Sequence, residues 1–158
     1  MKKVFSAIMV LAMVCSLSAP AFADDATWTG GTLNADWSDA GNWSAAVPGT
    51  GNTATFSMLA GGGGPIINLG AGVTVKSITF DTLNATNYTI GSGAAGSQTL
   101  TVNDGGAITI NNGVTQTETI RSAVALLGNY TFTNNAADTS KLLNFQALIT
   151  GPAAAGKT

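Results

Sequence analysis

The chain has 158 residues, a net charge of −2, a single cysteine and no histidine. A mildly acidic balance argues against nucleic acid as a partner, because phosphate recognition needs clustered Lys and Arg to displace counterions. Without His the commonest general base is missing, and the lone Cys15 lies in the leader described next, so the sequence predicts no enzyme, no cofactor and no metal site.

Residues 1–23 read as a secretory signal peptide. Lys2 and Lys3 give a positive start, and 4–17 is an apolar run too short to span a bilayer. Small residues at Ala21 and Ala23 then place cleavage between Ala23 and Asp24. The residue before Cys15 is Val14 rather than a small residue, which disfavours a lipoprotein. The expected location is therefore outside the cell or on its outer surface. Cleavage would remove Cys15 and two of the six basic side chains, Lys2 and Lys3, and none of the eight acidic ones. The chain that remains has neither disulfides nor thiolate metal ligands to hold it together, and its length suits one domain.

All 20 glycines lie beyond the leader, and Thr and Asn are the other abundant types there. Gly and Asn mark turns, and β-branched Thr prefers strands, so a helical domain is unexpected.

In chain order, residues 24–60 read as an entry or capping segment rather than a separate domain. The stretch ATWTGGTLNADWSDAGNWS holds all three tryptophans, Trp28, Trp37 and Trp43. Exposed and coplanar, they would form a platform for contact with an extracellular glycan. Buried, they would supply the large apolar area that closes the open end of a stacked core, and that lid is the favoured expectation. A Pro48-Gly49 turn then feeds a strand ending at Phe56, and a glycine loop leads back into the sheet near Ile66.

Residues 61–158 read as β-solenoid rungs truncated at their C-terminal end. VTVKSITF (73–80) is predicted to be a strand with a bend or bulge near Lys76, since neither alternating face is cleanly apolar. Strand patterns follow over 87–93, 98–106, 107–113, 116–128, 129–135 and 141–151, and their apolar residues recur at intervals of roughly 8–12. TLTVNDGGAITINNG resembles two copies of one unit, a strand followed by Asn and a Gly turn. Thr and Asn on the strands suit flat outer faces and side-chain ladders between rungs. The predicted fold is all-β, a parallel β-helix with a Trp-containing amino-terminal cap; the alternative is a Greek-key β-sandwich.

WTGG…DWSDAGNWSAAVPGTGNTATF, followed by INLGAGVTVKSITFD, YTIG and TLTVNDGGAITIN, resembles the amino-terminal part of bacterial proteins with autotransporter-associated β-strand repeats. The resemblance covers most of 27–151 and departs at Asn52, where the family pattern has an acidic residue. It implies a Trp-bearing opening ahead of β-helical repeats. The chain looks like the start of a longer secreted protein, since repeats, barrel and sorting tail are not seen downstream.

Other motifs carry less. GPAAAGKT (151–158) fits the letters of a phosphate-binding loop but lacks a following helix whose N–H groups would meet the anion, so no nucleotide is expected. Asp24, Asp25, Asp36, Asp39, Asp81, Asp104, Glu118 and Asp138 read as solvated turn residues rather than a glycosidase pair. Asp104 lies near Gly residues, but not in the order of a calcium-binding repeat. The sequons at Asn42, Asn84, Asn87 and Asn129 are expected by chance and should stay bare. The predicted role is structural, in adhesion or matrix contact as the start of a β-helical passenger. A carbohydrate-binding module is the alternative, and a polysaccharide lyase or hydrolase a minor one. The low charge of KLLNFQALITG further predicts self-association through a C-terminal edge strand.

Overall fold

The structure, a computed structural model, describes residues 24–32, 34–57, 64–81 and 86–152. The expected signal peptide lies outside the described residues, as does 153–158 with its lysine.

The described chain is almost entirely parallel β. It contains β1 (Ala26–Thr27), β2 (Thr53–Phe56), β3 (Ile66–Ile67), β4 (Val73–Val75), β5 (Ser77–Phe80), β6 (Thr89–Ile90), β7 (Thr99–Val102), β8 (Gly106–Ile110), β9 (Glu118–Ile120), β10 (Ala123–Leu126), β11 (Tyr130–Asn134), β12 (Leu143–Phe145) and β13 (Ile149–Thr150). They form three parallel sheets. The first has the order β1-β2-β5-β8-β11, the second β3-β6-β9-β12 and the third β4-β7-β10-β13. The chain therefore visits second, third and first sheet in turn, and each visit adds a strand beside that of the previous coil. This is a β-solenoid, not a sandwich.

In the first sheet Ala54 pairs with Ile78, Ile78 with Ile108 and Ile108 with Phe132, so the chain regains the same column once per coil. The shorter apolar recurrence of the sequence is thus the length of one face, with three faces to a coil. Parts of the inward columns carry like on like: Ile67, Ile90 and Ile120 in the second sheet, and Val75 and Val102 in the third. All are buried, and the core is a stack of such layers.

The bend expected near Lys76 is present. It is the corner between β4 and β5, with Val75 buried, Lys76 exposed and Ile78 buried, so the alternation slips by one as the chain changes sheet. Two stretches expected as single strands each turn such a corner instead. Residues 116–128 divide into β9 and β10, and 141–151 into β12 and β13. The two similar units of TLTVNDGGAITINNG are likewise not stacked rungs. They are β7 and β8, neighbouring faces of one coil joined through Asp104 and Gly105.

Glycine is required where coils come closest. Gly91 turns from β6 toward the next face at φ +105°, and a Cβ there would lie 2.7 Å from the backbone N of Ser122 in the following coil. No L side chain fits that place without moving the neighbouring coil.

Candidate functional site

The segment before β2 folds over the N-terminal end of the core. Its strand β1 adds to the first sheet through Ala26–Ala54 and Thr27–Thr55 pairing. Its loop adds to the second sheet, where Trp37 N–H donates to Asn68 O at 2.9 Å and Asn68 N–H to Ala35 O at 2.8 Å. The segment expected to span 24–60 thus contributes two strands to the solenoid and covers edges that would otherwise stay unpaired.

Asn42 holds this loop. Its side chain is fully buried, its Oδ1 accepts from Thr32 N at 3.1 Å and Thr32 Oγ1 at 2.8 Å, and its Nδ2 donates to Asn34 O and Asp36 O. A buried amide satisfied on both ends fixes a loop that lacks regular secondary structure. As the acceptor of a sequon it is also out of reach in the folded chain. Asp39 caps the 3-10 turn Ala40–Asn42, accepting from Gly41 N–H at 2.9 Å and Asn34 Nδ2 at 2.9 Å. The Asn34 bond first, then that of Gly41, lowers its carboxyl below the ordinary 3.8. Asp36 accepts from Asn68 Nδ2 at 2.6 Å, which ties the loop to the first coil.

These bonds place the indoles. Trp28, Trp37 and Trp43 are 3%, 2% and 5% exposed. Trp43 meets Trp28 edge-on at 5.0 Å and Trp37 at 4.7 Å, and all three rings lie within 6.0 Å of Phe56. Phe56 stacks in turn on Phe80 at 5.6 Å, so an aromatic column continues from the loop into the core. The polar corners of two indoles are satisfied internally: Trp43 Nε1 donates to Trp37 O at 2.7 Å and Trp37 Nε1 to Pro48 O at 3.3 Å. Stacking on a sugar needs an open ring face. Burial and T-shaped packing leave these rings none, so they do not form the exposed platform considered from the sequence.

The carboxylates are dispersed and mostly structural. Asp24 is exposed. Asp25 accepts from Thr53 N–H at 2.6 Å, and Asp104 from Asn129 N–H at 2.7 Å, bonds between adjacent coils. Asp81 accepts from Asn111 Nδ2 at 2.9 Å. Inter-coil side-chain bonds include the mixed pairs Asn68 with Gln98 and Asp81 with Asn111. Among the described residues no three of His, Cys, Asp and Glu converge as a metal site would need.

Glu118 departs from the expectation of a solvated turn residue. It points inward from β9 and is wholly buried. Its Oε2 accepts from Tyr88 N–H at 2.7 Å, while Oε1 has no protein partner. Burial pushes the carboxyl up to about 8 against a smaller opposing effect of the Tyr88 bond, so it is held neutral at pH 7. Its sequence context, QTETIRS, is polar on both sides and gives no sign of this. Only the alternation running through Ile120 and Val124 places position 118 inside.

The opposite end differs. Phe132 on β11, Leu148 at the corner before β13 and Ile149 on β13 are exposed, and Phe132 packs against Tyr130 and Phe145 at 5.3 and 5.0 Å. Among the described residues, no further strand pairs with β11, β12 or β13 on that side. Comparison of the chain with protein-family models, curated proteins and solved structures finds no match.

Proposed function

We propose that this is an exported structural and interaction protein, the opening portion of a β-helical passenger of the autotransporter-associated type, acting in adhesion or matrix contact at the cell surface. The observation that carries the reading is the difference between the two ends. One is closed by a hydrogen-bonded loop and three enclosed indoles, whereas the other, among the described residues, presents strand edges that no further strand pairs and exposed Phe132, Leu148 and Ile149. A stacked core closed at one end is suited to projecting a contact surface at the other. The dispersed carboxylates, engaged as turn and inter-coil acceptors, fit a scaffold better than a hydrolase.

The export part is tested by expressing the full chain in a bacterial host and sequencing the species in the external fractions by mass spectrometry. The reading expects a terminus at Asp24; an intact Met1 there would sink it. The contact part is tested by binding of the purified protein to isolated cell envelopes and to a glycan array. Binding to envelopes that Trp43→Phe leaves unchanged is expected. Loss of glycan binding in that variant would favour a carbohydrate-binding module instead.

A further inference from the structure

The outward side of the first sheet carries an uninterrupted column of one residue type. Thr27, Thr55, Thr79, Thr109 and Thr133 stand in register on β1, β2, β5, β8 and β11. Two residues earlier along the strands runs a second, less perfect column of Thr53, Ser77, Ala107 and Thr131. Four of the five strands therefore present T-x-T or a close variant of it: Thr53-Ala-Thr55, Ser77-Ile-Thr79, Ala107-Ile-Thr109 and Thr131-Phe-Thr133.

The geometry follows from the sheet. Strands in register repeat about every 4.8 Å across the coils, and alternate residues about every 6.7 Å along them. Threonine is stiff at χ1, so methyl and hydroxyl are held in fixed directions. Inside the sheet Ile78 and Phe80 anchor β5, and Ile108 anchors β8, from below. The result is a two-dimensional lattice set by the strand register rather than a set of mobile side chains.

Three further observations say what kind of ligand suits it. The hydroxyls of the five-threonine column make no hydrogen bond to the described protein, in contrast to Asn68, Ser92 and Gln98 on the second sheet, which bond one another. Among the described residues no charge lies within the array; Asp25, Lys76 and Asp81 stand only at its margins. Tyr130 and Phe132 on β11 are exposed, but they fall in the inward register of Gly106 and Ile108 and so lie off this face, and the indoles are enclosed at the N-terminal end.

A dissolved small molecule is held in a concave site with convergent polar groups, whereas the threonines here stand in parallel rows on the outer face of a sheet. An ionic mineral would call for charge, and a crystalline polysaccharide for exposed rings. The surface that remains is a neutral solid repeating at these two intervals. Hexagonal ice repeats its oxygen rows at nearly the same pair of spacings, and fixed methyls with free hydroxyls can order water into that pattern. We propose that the outer face of the first sheet, centred on Thr55, Thr79 and Thr109, binds ice. The third sheet serves as an internal contrast. Its outward column of Thr74, Thr101, Ala125 and Thr150 is broken at Ala125, and Thr150 Oγ1 donates to Val124 O.

The test uses the purified full chain in a nanolitre osmometer and an ice-recrystallisation assay. Faceted crystals and inhibition of recrystallisation are expected. Thr79→Lys, and independently Thr109→Tyr, should raise the inhibitory concentration at least tenfold, while Thr101→Lys on the third sheet shifts it less than twofold. Thermal melts of all three verify folding, and either first-sheet variant suffices if the other fails to fold. Round, unfaceted crystals at every soluble concentration would overturn the proposal. Equal loss in Thr101→Lys would do so too, as would retention on insoluble cellulose or chitin without any effect on ice.

Discussion

Two buried side chains that the sequence treats alike as polar do opposite things to stability. Asn42 is satisfied at every polar atom it presents, so it strengthens the loop it organises. Glu118 leaves one oxygen unpaired and is held neutral, with its carboxyl raised from an ordinary 4.5 to about 8. Because the folded chain binds this proton more tightly than the unfolded one, its contribution is fully present below about 4.5. It is lost progressively as pH rises toward about 8. At ~1.4 kcal/mol per pH unit the loss across that window is at most roughly 5 kcal/mol. Glu118→Gln has no proton to lose, so its urea midpoint should stay flat over the same window where the wild type declines. Parallel profiles for the two proteins would refute the assignment. Asp39 acts in the other direction: lowered by Asn34 and Gly41, it stabilises above 3.8 and loses that effect as pH falls. At the indoles, Trp43→Ala removes a ring that touches Trp28, Trp37 and Phe56 together. A loss of about 3–5 kcal/mol is expected, seen as a melting temperature lowered by roughly 10 °C or more. An unchanged melt would mean the rings do not close the core. That the tryptophans belong inside was readable from their clustering at a predicted solenoid end. The inward turn of Glu118 was not, because a single charged residue among polar neighbours carries no sign of burial.

At the scale of elements, strands were legible and corners only partly so. Lys76 betrays its corner because the inward parity slips between Val75 and Ile78. The corner between β9 and β10 leaves no such trace. Glu118, Ile120, Ser122, Val124 and Leu126 are all buried, so the period of two runs unbroken from one sheet into the next. Short strands with inward residues on both sides of a bend look like one long strand. Gly91 marks that region from the neighbouring coil, but a glycine tells of a turn without saying which strand it must pass. Its substitution should separate the two glycine roles. Gly91→Ala combines φ +105° with a Cβ 2.7 Å from Ser122 N, whereas Gly70 at φ +57° has open space around it. Gly91→Ala is expected to cost about 2–4 kcal/mol and Gly70→Ala about 1 kcal/mol, measured as urea midpoints at equal m-value. Equal costs would mean that the coils are not as close at Gly91 as the structure places them.

The architecture of the whole molecule was the most readable feature. Thr and Asn on strands, glycine turns and spacing of roughly one face length all point to stacking, and the solenoid has three parallel sheets in keeping with that pattern. The chain's two ends then behave differently. The indole loop pairs the N-terminal edges, while among the described residues no strand pairs with the outer side of β11, β12 and β13, beside exposed Phe132, Leu148 and Ile149. We propose that the purified protein self-associates through this C-terminal end. Light scattering at tens of micromolar should give more than the monomer mass, and Phe145→Lys or Leu148→Lys should restore the monomer. A wild-type monomer at that concentration would mean the end is covered. All of this rests on the stacking register, which the threonine column reports over its whole height. With Cys15 replaced by Ser, nitroxide labels at Thr27→Cys and Thr133→Cys sit four strand spacings apart, about 19 Å between backbones. Double electron–electron resonance should give one narrow distance distribution at about 20 Å, the label arms included. A broad distribution, or one centred far beyond that separation, would contradict the solenoid and every inference drawn from its faces.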